Sequence, residues 1–237
     1  MRHFLQSTNL KKTLFSFTTL ALLLTACGKE TTLSSSVPSK PVDYPIAVVK
    51  VDDTNDAHPQ VGIDKADIVY IEQVEGGLIR LATVYLHGLP DQVGPVRSAR
   101  ISDIDLLSQF GKIAFFYSGA QTKFLPVLHA ANLNDFGAER ESPKVYVRDK
   151  SRIAPYDLFL QKSEADQLIS SSDVSMASSY KTNYGNLNSV GTAITSVKVK
   201  WPAANYKAVW NGVGWTLFHN GNVDLVADGS QLAPSTF

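Results

Sequence analysis

Apolar and polar positions along this chain change rhythm several times, and each change marks an element. Behind a basic stretch with Arg2, Lys11 and Lys12, an apolar run from Leu14 to Leu24 ends in small residues. It is too short to cross a bilayer as a mature helix. Ile46 to Val51 has the length and character of a buried strand. Asp52, Asp53, Asn55, Asp56, His58 and Pro59 then form a polar loop. Ala66–Val74 and Leu78–Leu86 read as strands joined into a hairpin by Glu75-Gly76-Gly77. Pro95 is predicted to open a helix running to about Phe110, with Ile101, Ile104 and Leu107 at helical spacing and Gly111 as its C-terminal cap. Ile113–Tyr117 is a further strand, and Leu125–Ala131 and Ser163–Ser170 read as helices. Ser163 and Asp166 have the spacing of a capping box. After about Tyr184 the rhythm becomes an alternation of two. Strands at Val197–Trp201, Tyr206–Trp210, Trp215–Phe218 and Val223–Val226 are separated by the turns Asn211-Gly212 and Asn220-Gly221. The expected fold is α/β, a mixed sheet with flanking helices, followed by a smaller antiparallel β-meander subdomain.

The lone cysteine changes how the first of these segments is read. Leu24-Thr25-Ala26-Cys27 closes the apolar run and resembles a bacterial lipobox. A signal peptide cleaved in the ordinary way needs no cysteine there, whereas a lipoprotein signal does, because the thiol is acylated and becomes the new amino terminus. Residues 1–26 are therefore expected to be a lipoprotein signal peptide, with palmitate or a similar acyl chain on Cys27. The protein would sit on the extracytoplasmic face of the cell membrane. Residues 27–43, rich in Ser, Thr and Pro, would be a flexible tether. Residues 44–184 would form the α/β domain and 185–237 the β-rich subdomain.

Composition narrows the class. The 237 residues carry 22 Lys+Arg and 22 Asp+Glu, so loss of the basic leader leaves a slightly acidic remainder. Nucleic acid is not an expected partner, since it would need a clustered basic face. With the only cysteine acylated, disulfides are excluded and stability must come from the core.

The densest candidate chemistry is Gly94-Pro95-Val96-Arg97-Ser98-Ala99-Arg100. If Pro95 opens a helix, Arg97 and Arg100 share a face near its positive end, where guanidinium groups can grip phosphate, sulfate or carboxylate. Equally, both arginines can pair internally, with Glu72 and Glu75 as candidates. Arg80 interrupts an apolar strand and is directed either to solvent or into the same polar site, with Glu75 as its partner. Arg148 and Arg152 form another basic pair, which a solvated charge run would also explain. His58, His87, His129 and His219 are isolated in sequence, so no metal site is expected. Asp52, Asp53 and Asp56 lack the glycine and distal glutamate of an EF-hand loop. No nucleophile elbow, P-loop or dinucleotide fingerprint is present, and no cofactor is expected.

In order and spacing, His58-Pro59-Gln60-Val61-Gly62, Ala66-Asp67-Ile68-Val69-Tyr70, Glu75-Gly76-Gly77-Leu78-Ile79-Arg80 and Gly94 to Arg100 resemble the YerB-like bacterial lipoproteins. Arg148-Asp149 with Arg152-Ile153-Ala154-Pro155 matches a later motif, which continues there with His-Asn and here with Tyr156-Asp157. The resemblance implies an envelope lipoprotein of a family without known function, and a shared polar site at Glu75, Arg80, Arg97 and Arg100, with Ser98, Arg148 and Arg152 beside it. It also implies that the last strands of the C-terminal part are missing, leaving the meander the less stable half. Three functions compete. One is a membrane-tethered module binding an anionic glycan or phosphate-bearing envelope component. Another is an envelope-modifying enzyme with Glu75 or Glu72 as acid or base beside the arginines. The third is a structural or partner-binding lipoprotein whose arginines form internal salt bridges.

Overall fold

Strand β1 (Ala47–Asp52) is buried along its whole length, as a central strand with apolar residues on both faces must be. The structure is a computed structural model that describes residues 42–181 and 191–236. The expected signal peptide, Cys27, most of the tether and the expected boundary near 184 lie outside them. After β1 come β2 (Ile68–Gln73), β3 (Ile79–Tyr85), β4 (Gln92–Val93), helix α1 (Ile101–Leu107) and β5 (Ala114–Tyr117). Next are α2 (Leu125–His129), β6 (Asn134–Gly137), β7 (Tyr146–Arg148), β8 (Leu158–Gln161) and α3 (Lys162–Ser170). The meander consists of β9 (Ser196–Lys200), β10 (Asn205–Trp210), β11 (Trp215–His219) and β12 (Asn222–Val223).

The main sheet has the order β2-β3-β1-β5-β6. β2 and β3 form the expected hairpin and β3 runs antiparallel to β1, whereas β5 and β6 are parallel to it. Successive side chains of β1 serve opposite faces. Ala47, Val49 and Val51 join Leu81, Tyr85 and Phe116 in one core. Ile46 and Val48 join Ala82, Val84, Phe115, Leu107 and Phe110 in the other. The fold is the mixed α/β sheet with flanking helices followed by a β-meander that the hydrophobic pattern predicts.

The helix expected from Pro95 begins only at Ile101. Between them the backbone is extended and pairs with three neighbours. Val96, Arg97 and Ala99 N–H groups donate to the carbonyls of Leu158, Lys50 and Gly119, and Asp52 N–H donates to Pro95. Arg97 and Arg100 therefore share no helix face. At α1 only half of a capping box forms: Asp103 Oδ2 accepts from Arg100 N–H at 2.6 Å, and the Arg100 side chain has no acceptor to return the bond. At α3 the residue before the helix is Gln161, with no side-chain cap, so the Ser163–Asp166 box does not form. A small antiparallel sheet, β4-β8-β7, was not legible in the pattern, because strands of two to four residues are too short to show a period.

The meander is antiparallel in the order β12-β11-β10-β9. Its second turn uses Asn220 and Gly221 with φ of 48° and 88°, the left-handed pair a two-residue hairpin wants. The strand expected over Val223–Val226 stops at Val223, because Val226 leaves the sheet and bridges Gln60 in parallel. Tyr206, Ala208 and Leu217 pack with Ile79 of β3, so the meander's core is completed by the main sheet.

Candidate functional site

One row of directly paired residues crosses the main sheet: Glu72 on β2, Arg80 on β3 and Asp52 on β1. Paired residues project to the same face, and Lys50 lies on it two positions before Asp52. Lys50 is fully buried. Its ammonium pairs with Glu72 and, at 2.6 Å, with Asp103 of α1. Burial drags its pKa below the ordinary lysine value against the pull of Asp103. Arg80 is also buried and donates through Nη1 to the Ser98 carbonyl at 2.9 Å. Burial, then the charges of Arg100 and Arg97, lower it to about 10. Arg80, Arg97 and Arg100 thus gather around one segment, with Ser98 contributing its backbone oxygen.

Their outlets differ. Arg100 Nε meets Glu75 at 2.5 Å, Gln121 holds the other carboxylate oxygen at 2.9 Å, and these residues border a groove of about 510 Å³ near α1 and α2. Glu75 is exposed; burial nudges its carboxyl upward, but its own backbone N–H and then Arg100 outweigh this and lower it. A carboxyl so held is a poor proton donor. Arg97 Nε lies 2.5 Å from Asp52 Oδ2 and borders a second groove of about 460 Å³. That groove also contains Ser118, Glu139, Glu141 and Arg148. Arg97, Ser118 and Glu139 all lie near the carboxyl ends of the parallel strands β1, β5 and β6, where open α/β sheets place ligands.

Tyr156 and Asp157, the positions that depart from the family motif, touch both arginines of this groove. The Arg97 guanidinium lies 6.0 Å from the Tyr156 ring centroid, and Arg148 Nη1 donates to Asp157 at 2.6 Å. Arg152 does not join them. It donates to the carbonyls of Ala57 and Pro59 at 3.1 and 2.7 Å and lies over Phe159, clamping the loop that carries His58. The expected single site is therefore two grooves, a buried arginine between them and a separate loop clamp.

The histidines read as isolated are not all so. His58 and His219, far apart in sequence, stack with ring centroids 4.4 Å apart and planes 13° from parallel. Asp53 lies between their nitrogens, 3.1 Å from His58 Nε2 and 3.9 Å from His219 Nε2, and Asp224 Oδ1 is 3.2 Å from His58 Nδ1. Burial lowers His58, but hydrogen bonds and charge from Asp224 and Asp53 win and raise it to about 9. Burial raises Asp53 and lowers His219. No local spacing signals this cluster; the polar loop before Pro59 was its only trace in the sequence.

The family described as "Protein of unknown function (DUF3048) N-terminal domain" matches residues 31–175. Among curated proteins, the chain is similar to "Putative lipoprotein YerB" of Bacillus subtilis (strain 168), 42% identical over 69 residues. That stretch is 29% of this chain and 20% of the relative, so the matched part spans about a fifth of the relative's length. Among solved structures, the crystal structure of YerB protein from Bacillus subtilis superposes with a TM-score of 0.65 at 20% identity. It covers 81% of this chain and 67% of that one. This likeness shows the fold.

Proposed function

The chain belongs to the DUF3048 N-terminal-domain family, a family of unknown function, and from that premise we propose that it is a membrane-anchored extracytoplasmic module that binds an anionic envelope component. The anchor would be an acyl chain on Cys27 after removal of residues 1–26, a reading supported by the lipobox-like sequence and by the name of the Bacillus relative. The ligand groove is the one bordered by Arg97, Ser118 and Arg148.

The observation that carries this reading is the state of Arg97. Its side chain makes one ion pair, with Asp52, and no other polar contact among the described residues. A guanidinium has five N–H donors in a rigid fork. One carboxylate leaves donors for a phosphate or carboxylate entering the groove, which Arg148 also lines. Glu139 and Glu141 in the same lining favour a ligand that also offers hydroxyl donors, such as an acidic or phosphorylated glycan, over a bare anion.

The test is a titration of the full chain in detergent with inorganic phosphate and with purified anionic envelope polymer. Arg97→Gln and Arg148→Gln should each weaken polymer binding by about 10-fold or more, the scale of one charge-assisted hydrogen bond. Unchanged binding in both variants would end the groove assignment. Cys27→Ser should separately abolish palmitate labelling and release from the precursor.

A second reading, an envelope-modifying enzyme, is favoured by one contact set. Burial raises the carboxyl of Glu141, which shares the groove with Arg97 and Arg148. A carboxyl shifted in that direction beside guanidinium groups suits a general acid better than Glu75 does. Turnover of the envelope polymer, lost in Glu141→Gln while binding persists, would select this reading.

A further inference from the structure

The Asp53–His58–His219 cluster has no place in the anion-binding reading and is chemically complete without it. We infer that it is a binding site for a divalent transition-metal ion of the zinc class, held by Asp53 Oδ2, His58 Nε2 and His219 Nε2, with Asp224 orienting His58.

Proximity carries the assignment; the imidazoles, stacked with centroids 4.4 Å apart, would turn out of their stack so that both lone pairs meet one ion. The candidate ligand atoms of Asp53, His58 and His219 all lie within 4.8 Å of one another. Neighbouring donors on a tetrahedral ion with bonds of ~2.1 Å are ~3.4 Å apart. Asp53 Oδ1 lies 3.1 Å from His58 Nε2 and Oδ2 lies 3.9 Å from His219 Nε2, so the two oxygens of the carboxylate stand near that spacing from one imidazole each.

An unspent polar atom carries it further. Asp53 is 2% exposed, yet its Oδ2 has no hydrogen-bond partner among the described residues. A buried carboxylate oxygen left without a partner is costly. The other oxygen of Asp53 is already engaged: the Gln60 side-chain amide donates to Oδ1 at 2.8 Å and to the Asp52 carbonyl at 3.2 Å. The same amide nitrogen lies 3.2 Å from His58 Nε2, a contact the ion would displace, and Oδ2 is the oxygen that faces His219.

Asp224 supplies the outer layer that metal-bound histidines need. At 3.2 Å from His58 Nδ1, its carboxylate favours a proton there, so Nε2 is the nitrogen that would give up its bond to Asp53 Oδ1 and turn to the ion. The clamp of Arg152 on the Ala57 and Pro59 carbonyls holds the loop on either side of His58.

Two imidazole nitrogens with one carboxylate suit zinc and its transition-metal neighbours, whereas calcium and magnesium prefer all-oxygen cages. Three protein ligands leave a further position open. His58, His219 and Asp224 border a groove of about 610 Å³, so that position faces a surface that water or a small ligand can enter. The ion would join the loop after β1 to the end of β11, tying the meander to the main sheet.

The experiment uses the full chain in detergent, stripped with a chelator and titrated at neutral pH with zinc by calorimetry and with cobalt by visible absorption. One equivalent of each should bind, and cobalt should show the intense bands of a four- or five-coordinate nitrogen–oxygen site. His219→Asn should abolish binding, Asp224→Asn should weaken it by about 10- to 100-fold, and His129→Asn, at a different histidine–aspartate pair, should leave it intact. Should His219→Asn fail to fold, protection supplies the readout: zinc should shield His58 and His219, and not His87, from diethyl pyrocarbonate in the wild-type chain. Absence of stoichiometric binding, binding that survives His219→Asn, or equal modification with and without zinc would overturn the assignment. These residues border neither arginine groove, so either site can fail without the other.

Discussion

Lys50 is the residue on which the charged row of the main sheet depends. It is fully buried and faces Asp103, which is fully buried too. Lys50→Met would leave Asp103 without its cation, a change expected to cost about 3–5 kcal/mol. Urea unfolding should show the loss, and the double variant Lys50→Met/Asp103→Asn should recover some of it. Recovery identifies the stranded charge, not lost packing, as the cause. Glu75 gives the pH-dependent counterpart. Its folded midpoint lies below the ordinary value of 4.5, so whatever stability it adds is present above that value. The contribution is lost as pH falls through the lower, folded midpoint. Carbon NMR of the Glu75 carboxyl should record the depressed midpoint, and Arg100→Gln should move it upward. The sequence offered Glu72 and Glu75 to Arg97 and Arg100, and Glu75 to Arg80 as well. Glu75 pairs with Arg100, whereas Arg97 takes Asp52, Arg80 the Ser98 carbonyl, and Glu72 pairs with Lys50. Spacing could not point to Lys50–Asp103 or Asp53–His219, since pairing across a sheet or between a loop and a meander leaves no local period.

At the scale of elements, the segment Gly94–Arg100 shows why a proline was a misleading helix signal. Proline fixes φ and removes a donor, which suits a helix start and an extended strand alike. Pairing on three sides decides the matter here. Gly94 marks how closely those partners approach: a Cβ there would lie 2.7 Å from Phe159 Cδ1 and 2.9 Å from the Leu158 carbonyl oxygen. The carbonyl belongs to β8 and cannot yield without breaking its sheet. Gly94→Ala should therefore destabilise by about 1–3 kcal/mol through overpacking. It should also disturb the neighbouring Arg97 groove, and the measurement is urea unfolding alongside the phosphate titration. The strongly patterned elements β1, β2, β3 and α3 were legible within a residue or two, as was the short β5, whose run Ala114-Phe115-Phe116-Tyr117 is wholly apolar. Short elements such as β4, β6 and β7 have no such run, and exist because neighbours supply their hydrogen bonds.

At the scale of the molecule, all three tryptophans, Trp201, Trp210 and Trp215, lie in or beside the meander. None is fully buried, and Trp210 is 39% exposed. Their emission therefore reports on the meander, while far-ultraviolet circular dichroism reports on the main sheet as well. The meander's buried core is small and needs Ile79 of β3 to complete it, whereas the main sheet has a full core on each face. A unit with so little burial of its own should open at lower denaturant. Tryptophan emission is expected to change at lower urea than circular dichroism, and coincident curves would instead mean one cooperative unit. The entry of the chain into the main sheet has a mechanical consequence. Pro45 bridges Met176, and the chain then passes directly into β1, which is paired with β3 over Ala47–Asp52 and with β5 over Ala47–Val49. Tension drawn from the amino-terminal side thus runs along a strand gripped on both flanks by bonds at right angles to the pull. Such bonds share a load by shear and do not open in succession like a zip. A domain pulled from this end would be held by a strand that cannot leave without shearing both of its ladders at once.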